Sequence, residues 1–505
     1  MKKPIVIAFL LSLFSIFPLS GQTDISIIQR MVENQSDYRH FFSLPYGNPA
    51  MKYGMYEYTL NEISAGGEYR HENQPLIIQT GDGYRYGLVN VKSFIRKKRS
   101  SMWGEASYRN GKQINLKWNE TSDYLLLYPY VIGDTIGGNL KSEQDAFNGG
   151  YTAQTGKLIL GADASYHATI GYRQVDPRPR NITGKLDFTF GIALANVKGY
   201  RPGISINASK YKQKNDIKFY NEQGNPTLYH FTGLGTDYYR FRGKEKETYY
   251  KGRIFGGSIN LLPESGNGFT ANISFNNFMF EKIISALNEL PMAKVDEYTW
   301  KAEAGYKQKF LYRTWGVKAE FINKHRKGTE NIFGDPVNDI YPQIASAQQY
   351  SNKHMGFLIS GFFENTNPEN IIWAIRPTIG LNDIDTRYIY PARKSESERL
   401  YSTLFLQAGK KTGKCFFRLM ADICYDASLN ANLQLPDDAD SRMSTPLLNN
   451  YRFLAFDHTL MKLQLRSDYA INRRCALYLS AYWQRGWYTE QIHTDNVSVV
   501  LGVAF

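Results

Sequence analysis

The stretch LILGADASYHATIGYR, residues 158–173, alternates between two kinds of side chain. Its even-numbered positions, from Leu158 to Tyr172, are apolar or small, whereas Asp163 and His167 lie among the odd-numbered ones. Successive side chains of a β-strand point to opposite faces, but a helix with 3.6 residues per turn would mix the two sets. The stretch therefore predicts a long strand with one apolar face and one polar face.

The same alternation recurs along the chain and predicts a sheet of many long strands. We expect eighteen of them, at residues 56–71, 83–97, 101–110, 143–153, 157–173, 184–197, 203–214, 250–263, 268–280, 297–310, 314–326, 349–364, 369–382, 397–410, 414–428, 455–469, 474–487 and 496–505. Connections after even-numbered strands are short and most others are longer, an asymmetry typical of short periplasmic turns and long extracellular loops. The sequence thus predicts an all-β, transmembrane antiparallel β-barrel of about eighteen strands. Sixteen are possible, because the first and third strands are weaker.

A soluble β-sandwich or solenoid would show the same periodicity with its apolar face turned inward. The length of the strands, which suits a tilted crossing of a bilayer, and the loop asymmetry favour the membrane. The closing strand 497–505 also ends in the aromatic Phe505. Such an end resembles the signal that the outer-membrane barrel-assembly machinery reads, so we expect that machinery as a partner during biogenesis.

The N-terminus has the parts of a secretory signal. Lys2 and Lys3 are charged, residues 5–17 are apolar apart from two serines, and small residues precede the expected cleavage site before Gln22. Apolar residues at helical spacing in 25–32 predict a short helix, although a disordered leader is an alternative. The expected domains are a signal peptide (1–21), an N-terminal periplasmic helix and loop (22–55) and the outer-membrane β-barrel (56–505).

The composition agrees with a barrel. Strands of a barrel face lipid with only every second residue, so a mean hydropathy of −0.44 is compatible with the membrane. The 37 Tyr and 29 Phe suit strands and aromatic girdles. The net charge of +13 indicates either solvated loops or affinity for anionic lipopolysaccharide or solutes. Three Cys are too few for a disulfide framework.

Loop motifs point to a family. WNETSDY at 118–124 runs into LYPYV at 127–131 and DTIGG at 134–138, and DPRPRNITG at 176–184 and FTGLG at 231–235 follow. On these motifs the chain resembles a Bacteroidota-type outer-membrane β-barrel family of unknown function, porin-like and associated with TonB-dependent uptake systems. The resemblance implies the fold, the outer membrane of a Gram-negative cell and a nutrient-uptake context, and it implies no catalytic residues.

Two sets of residues are candidates for function. Polar side chains on the strands should face the lumen, as a self-paired wall or as a selectivity lining, and their interleaved charges favour the paired wall. These lumen-facing candidates are Asp163, His167, Lys301, Glu303, Lys318, Glu320, Arg418, Asp422, Lys462 and Arg466. Aromatic side chains of the long loops suit either recognition of a ligand or packing over the mouth. These loop candidates are Tyr124, Tyr128, Tyr130, Tyr238 and Tyr239.

The sequence lacks the motifs of zinc proteases, phosphate-binding loops and nucleophile elbows. We therefore expect no catalytic, metal-binding or cofactor-binding residues. The leading hypothesis is a channel or accessory component for solute uptake at the cell surface. A plugged barrel serving as a surface binding or assembly module is the first alternative, and a membrane-embedded hydrolase with Ser and His on neighbouring strands is the second. Expected partners are outer-membrane lipid, lipopolysaccharide and a TonB-dependent transporter or surface lipoprotein, but no nucleic acid.

Overall fold

The computed structural model describes residues 25–221, 226–243, 247–338, 340–367, 371–437, 441–489 and 491–505, so the expected signal peptide lies outside the described residues. The strands in chain order are β1 (Leu60–Glu72), β2 (Gly83–Lys97), β3 (Ser100–Leu116), β4 (Ile132–Gly133), β5 (Gly138–Thr155), β6 (Leu158–Tyr172), β7 (Arg178–Leu194), β8 (Tyr200–Lys218), β9 (Tyr229–Gly233), β10 (Thr236–Asp237), β11 (Glu247–Pro263), β12 (Gly268–Ile284), β13 (Leu290–Phe310), β14 (Arg313–Phe333), β15 (Gln343–Asn365), β16 (Ile372–Tyr388), β17 (Arg393–Thr412), β18 (Cys415–Gln434), β19 (His458–Ala470), β20 (Ala476–Trp487) and β21 (His493–Ala504).

Within the described residues, eighteen of these strands form one antiparallel sheet that closes on itself, and β4, β9 and β10 form a small separate sheet. Each barrel strand pairs with the next one along the chain. The barrel closes between β1 and β21, where Glu62 lies opposite Ala504 and Glu72 lies opposite Thr494. Closure leaves no sheet edge with unpaired backbone groups.

Short helices occur in the segment before β1 and in connections between the strands. They are α1 (Ile27–Asn34), α2 (Asp37–His40), α3 (Tyr124–Leu127) and α4 (Ser441–Ala455), with 3₁₀ turns at Leu44–Gly47, Pro49–Lys52, Ile78–Thr80, Tyr239–Phe241 and Ser285–Leu287. In the ranges that the structure describes, no helix has the length and apolar character needed to cross a bilayer.

The structure confirms the predicted antiparallel barrel and sets its strand number at eighteen. Every predicted strand overlaps an observed one, but several observed strands continue further. The strand predicted at 314–326 is β14, which continues to Phe333, and the one predicted at 203–214 is β8, which continues to Lys218. Side-chain alternation stops where the outer face becomes polar, whereas backbone pairing needs no apolar side chains and continues.

The two ends of the barrel differ as expected. Tight connections such as 98–99, 156–157 and 413–414 lie at one end, which we call the short-turn end. The opposite end, the long-loop end, carries long connections that include 117–137 and 435–457. β1 begins and β21 ends at the short-turn end, as their antiparallel pairing requires.

Apolar side chains cover the outer face and polar ones face the bore. Phe188 and Phe190 are exposed on β7, while Asp187 points inward and accepts a hydrogen bond from Ser165 Oγ at 3.0 Å. The exposed set on β6 to β8 is Leu158, Leu160, Tyr166, Ile170, Ile182, Leu186, Phe188, Phe190, Ile192, Leu194, Ile204 and Ile206. This orientation is the opposite of a soluble sandwich or solenoid, so those alternatives are wrong.

Candidate functional site

Residues 25–58, which we call the plug, lie inside the barrel at the short-turn end. The helix α1 begins with a capping box, in which Gln29 N donates to Ser26 Oγ at 3.4 Å and Ser26 N donates to Gln29 Oε1 at 3.2 Å. Its apolar face is buried against the inner wall. The residues in contact there are Ile27, Ile28, Met31, Phe94, Phe416, Ala476, Tyr478 and Ala504.

The plug continues along the wall to strands β18, β15 and β14. Arg418 is 2% exposed and donates a hydrogen bond to the Gln35 side chain. Lys318 Nζ donates to the Phe41 carbonyl at 2.6 Å, and the Phe41 ring lies 4.4 Å from that of Phe362. These wall side chains are therefore occupied in holding the plug.

Asn48 fixes the plug to another part of the wall. Its side-chain amide donates to the Ile204 carbonyl at 3.0 Å and to Asn260 Oδ1 at 2.9 Å. Its own Oδ1 accepts from Ala50 N at 2.9 Å. Asn48 is fully buried, so each of these bonds satisfies a group that water does not reach.

Arg39 ties together parts of the plug that are distant in sequence. Its Nη1 donates to the Met55 carbonyl at 2.8 Å, and its guanidinium forms an ion pair with Glu33 and lies 5.8 Å from the centre of the Tyr56 ring. The plug thus contacts strands around the bore and also packs against itself at the short-turn end.

Two wall glycines leave room for the plug. A Cβ at Gly191 would lie 1.8 Å from Asn48 Oδ1, and one at Gly161 would lie 2.5 Å from Ala50 N. Real Cβ atoms do not approach so closely, so any larger residue there would push the plug away.

A second closure, which we call the cap, lies at the long-loop end. It consists of residues 117–137, residues 228–243 and α4. The first two segments pair as strands, with Ile132 of β4 opposite His230 of β9. The Asn450 side chain of α4 accepts from Ile78 N at 3.1 Å.

The cap packs its apolar side chains against the inner wall. Tyr250 and Lys282 lie on that wall, where Tyr250 Oη donates to the Tyr130 carbonyl and Lys282 Nζ to the Val131 carbonyl, both at 2.9 Å. Lys282 is fully buried, so its side-chain nitrogen depends on such contacts for hydrogen bonding. The apolar cluster between cap and wall is Tyr124, Leu127, Tyr130, Val131, Tyr211, Tyr250, Phe278, Phe280, Ala293 and Val295.

A buried ion pair anchors the start of the cap. Arg173 Nη1 donates to Glu120 Oε1 at 2.8 Å, and both side chains are almost fully buried. The side-chain amides of Asn181 and Asn215 donate to the Glu120 carbonyl at 2.9 and 2.6 Å. Burial raises the pKa of the Glu120 carboxyl well above its usual range, Asp134 acts in the same direction, and Arg173 opposes both.

A cavity of about 480 Å³ lies between the cap and the inner faces of β3 to β8. Within it, Gln144, Thr169 and Thr183 stand side by side on adjacent strands. The complete lining is Gln79, Thr80, Gln113, Leu116, Asn119, Ser122, Asp123, Tyr124, Leu125, Leu126, Gln144, His167, Thr169, Thr183, Lys185 and Tyr211. Amide, hydroxyl and phenol groups dominate its polar part.

Some predicted lumen residues lie at the plug. Lys318 and Arg418 bond to it as described, and Glu303 lies 3.4 Å from Lys318 Nζ. Asp163 accepts from Trp103 Nε1 at 2.6 Å and lies 3.8 Å from Lys52 Nζ of the plug. At these positions wall and plug share one polar network.

Other predicted lumen residues pair with their neighbours on the wall. Glu320 lies 2.6 Å from Lys318 Nζ, and Lys462 lies 3.7 Å from Asp422. Arg466 Nε donates to Asp468 Oδ1 at 2.8 Å. His167 lines the cavity. Lys301 is next to Trp300, which is exposed on the outer face of β13, so the alternation of the strand places Lys301 on the inner face.

The predicted loop tyrosines are mostly packed into the cap. Tyr124 and Tyr130 are buried in its apolar cluster. Tyr128 and Tyr238 are half-buried and contact neighbouring aromatic rings. Tyr239 is 78% exposed. Four of the five therefore pack the loops over the mouth, and Tyr239 faces the surface.

The sequence alone did not identify the side chains that fix the plug and the cap to the barrel wall, namely Asn48, Glu120, Arg173 and Lys282. The signal for the plug was Gly161 and Gly191 at inward strand positions, since glycine inside a strand often marks a close approach of backbone. No comparable local signal existed for the cap, whose partners come from strands far apart in sequence.

One Ser–His pair lies on the outer face of neighbouring strands. His325 Nε2 and Ser351 Oγ are 3.2 Å apart on β14 and β15. His325 lies opposite Lys353, a cation instead of the carboxylate or amide that orients a catalytic imidazole. In the part of the chain that the structure describes, no group of His, Cys, Asp and Glu is placed to hold a metal ion.

The fold is that of a closed eighteen-stranded barrel whose own chain packs against the inner wall at both ends. The chain belongs to the Family of unknown function (DUF6850), whose model matches residues 49–505. No curated protein matches the chain.

Solved structures of similar shape include the siderophore receptor PiuA from Acinetobacter baumannii, at 8% identity and a TM-score of 0.41, with coverage of 88% of this chain and 81% of that one. BauA, the ferric preacinetobactin receptor from the same organism, matches at 10% identity and a TM-score of 0.40, with coverage of 88% and 79%. A bacterial polysaccharide outer membrane secretin matches at 9% identity and a TM-score of 0.33, with coverage of 88% and 98%. At such low values these likenesses carry no functional argument.

Proposed function

We propose that this chain is an outer-membrane β-barrel that takes part in solute uptake at the cell surface and is closed at rest. The observation that carries this proposal is the presence of two closures, plug and cap, inside one barrel. An open porin would leave its bore free, so the geometry favours a binding or gated component over a permanently open channel.

The apolar outer face supports the membrane location. The many apolar side chains exposed along the outer face would be unfavourable in water but favourable in contact with hydrocarbon. A closed barrel also pairs its backbone groups, as a bilayer requires. Short turns of such barrels face the periplasm. In this orientation the plug lies on the periplasmic side and the cap faces the cell exterior.

Conductance tests the closed state. Purified chain in a planar bilayer should carry almost no steady current. Gly191→Val should displace the plug, because the added side chain would collide with Asn48. Since plug and cap lie in series along the bore, we expect a clear steady current when Gly191→Val is combined with Arg173→Ala, which loosens the cap.

The control is Gly184→Val on the same strand. Gly184 faces outward, and a Cβ there would lie 3.6 Å from Tyr166 Oη, an ordinary contact. This variant should behave like the native chain. A large steady current from the native chain would refute the closed state. If the double variant carried no current, the result would favour a plugged binding module over a gated channel.

A membrane-embedded hydrolase is the second candidate, favoured only by the His325–Ser351 pair. Its substrate would be an ester at the membrane boundary. A serine-directed fluorophosphonate should label Ser351 if this candidate holds, and His325→Ala should then abolish labelling. We expect no labelling, because the residue opposite His325 is the cation Lys353 and not an orienting carboxylate or amide.

A further inference from the structure

The cavity between the cap and β3 to β8 has the properties of a small-molecule site. Its volume of about 480 Å³ lies within the ~300–1,000 Å³ typical of such sites. One side is the rigid barrel wall and the other is the cap segment 122–126. The ion pair of Arg173 with Glu120 anchors that segment close to the cavity, so the site is largely formed before any ligand enters.

The wall of the cavity offers groups that both donate and accept hydrogen bonds. Gln144, Thr169 and Thr183 form a row across three strands, and Gln113 also lines the cavity. Amides and hydroxyls of this kind match the hydroxyl groups of a ligand, which also donate and accept.

The charged side chains Lys185 and Asp123 of the cavity lining already have polar partners. Lys185 Nζ lies 2.9 Å from Asp187 Oδ1, and Asp123 Oδ2 accepts from Tyr211 Oη at 2.7 Å. An anionic ligand would find the ammonium of Lys185 already paired, and the carboxylate of Asp123 would repel it. Tyr124 and Leu125 add apolar surface from the cap side, which suits the C–H faces of a sugar ring.

We propose that this cavity binds a neutral polyhydroxylated solute of the oligosaccharide class. The inference deepens the proposed function, because it names the solute class for the closed barrel. It does not depend on current through the bore, so binding and conductance can fail separately.

Titration calorimetry of the full-length mature protein tests the proposal. The detergent must lack a sugar headgroup, since maltosides and glucosides would compete for the site. The neutral probes are maltotriose, cellotriose and chitotriose, and the charged probes are trigalacturonate and inorganic phosphate. We expect at least one neutral trisaccharide to bind and neither charged probe to do so.

Variants locate the site. Gln144→Leu and Thr169→Val remove hydrogen-bonding groups at nearly constant size, and each should weaken binding about tenfold. The control Gln464→Leu changes another inward amide, which donates to Ser480 Oγ at 3.0 Å on a wall outside the cavity lining. It should leave affinity unchanged. Heat-modifiable gel mobility confirms that each variant is folded.

Three results would overturn the proposal. The first is no binding by any neutral trisaccharide, and the second is binding only by trigalacturonate or phosphate. The third is binding of a neutral trisaccharide with an affinity that neither Gln144→Leu nor Thr169→Val changes, because the sugar would then bind outside this cavity. A conducting native chain that still binds a trisaccharide in this way would refute the closed state and leave the cavity assignment standing.

Discussion

Arg173→Ala should release the cap from the barrel wall. The substitution leaves the Glu120 carboxyl buried without its cation, and breaking a buried pair in this way costs about 3–5 kcal/mol. Because the pair holds only the start of the cap, the loss should appear as local opening. Hydrogen exchange of amides in 118–137 should accelerate by about two to four orders of magnitude, while strand amides should keep their protection.

The nearby Arg178→Ala is a matched control. Arg178 forms an ion pair with Asp176 at 2.6 Å, but its side chain is 41% exposed, so its loss should have little effect on exchange. Equal exchange in both variants would contradict the anchoring role of Arg173.

The defect of Arg173→Ala should depend on pH. Burial already raises the pKa of Glu120, and removing the cation raises it further. The pKa of this carboxyl is higher when the cap is closed than when it is open. Such a group stabilises the closed cap at a pH where the carboxyl is protonated, and that contribution is lost as the pH rises through the raised pKa. The difference in hydrogen-exchange rate of the cap amides between Arg173→Ala and the native chain should therefore shrink towards pH 5 and grow towards pH 8. The added change Glu120→Gln, which cannot ionise, should restore most of the protection at pH 8.

Ala164→Arg should destabilise the barrel in lipid far more than Ser165→Arg. Ala164 lies on the outer face of β6, paired with the exposed Phe188, near the middle of the apolar stretch from Leu158 to Ile170. An arginine facing lipid near the midplane costs about 2–4 kcal/mol. Arginine at 165 would instead enter the bore, beside the carboxylate of Asp187.

The measurement is the folded fraction of each variant in lipid vesicles across a urea series, read by heat-modifiable mobility. The two sites are adjacent in sequence and receive the same side chain, so the comparison isolates the direction in which it points. Similar midpoints, or a lower midpoint for Ser165→Arg, would mean that the apolar face does not meet lipid.

Most of the barrel was predictable because its signal is local. Alternation of the kind seen in 158–173 reports which side of a strand is apolar, and short turns such as 413–414 report where strands reverse. Strand ends at the long-loop end were less predictable, as with β14, because pairing there continues after the outer face turns polar. The candidate site was predictable only in part. Arg418 was expected on a polar strand face, but no pattern in the sequence revealed that its side chain would donate a hydrogen bond to Gln35.

The sequence by itself predicted a barrel of about eighteen strands and determined which side chains share a face of each strand, because the period of two is visible in neighbouring residues. The structure settled the strand number at eighteen and turned the apolar face outward. Only the tertiary structure decided that the plug and the cap pack inside the barrel. Asn48 meets Asn260, and Arg173 meets Glu120, only after the sheet has closed. Such pairs are set by the curvature of the whole barrel, and amphipathic periodicity carries no information about which distant polar side chains will meet inside it.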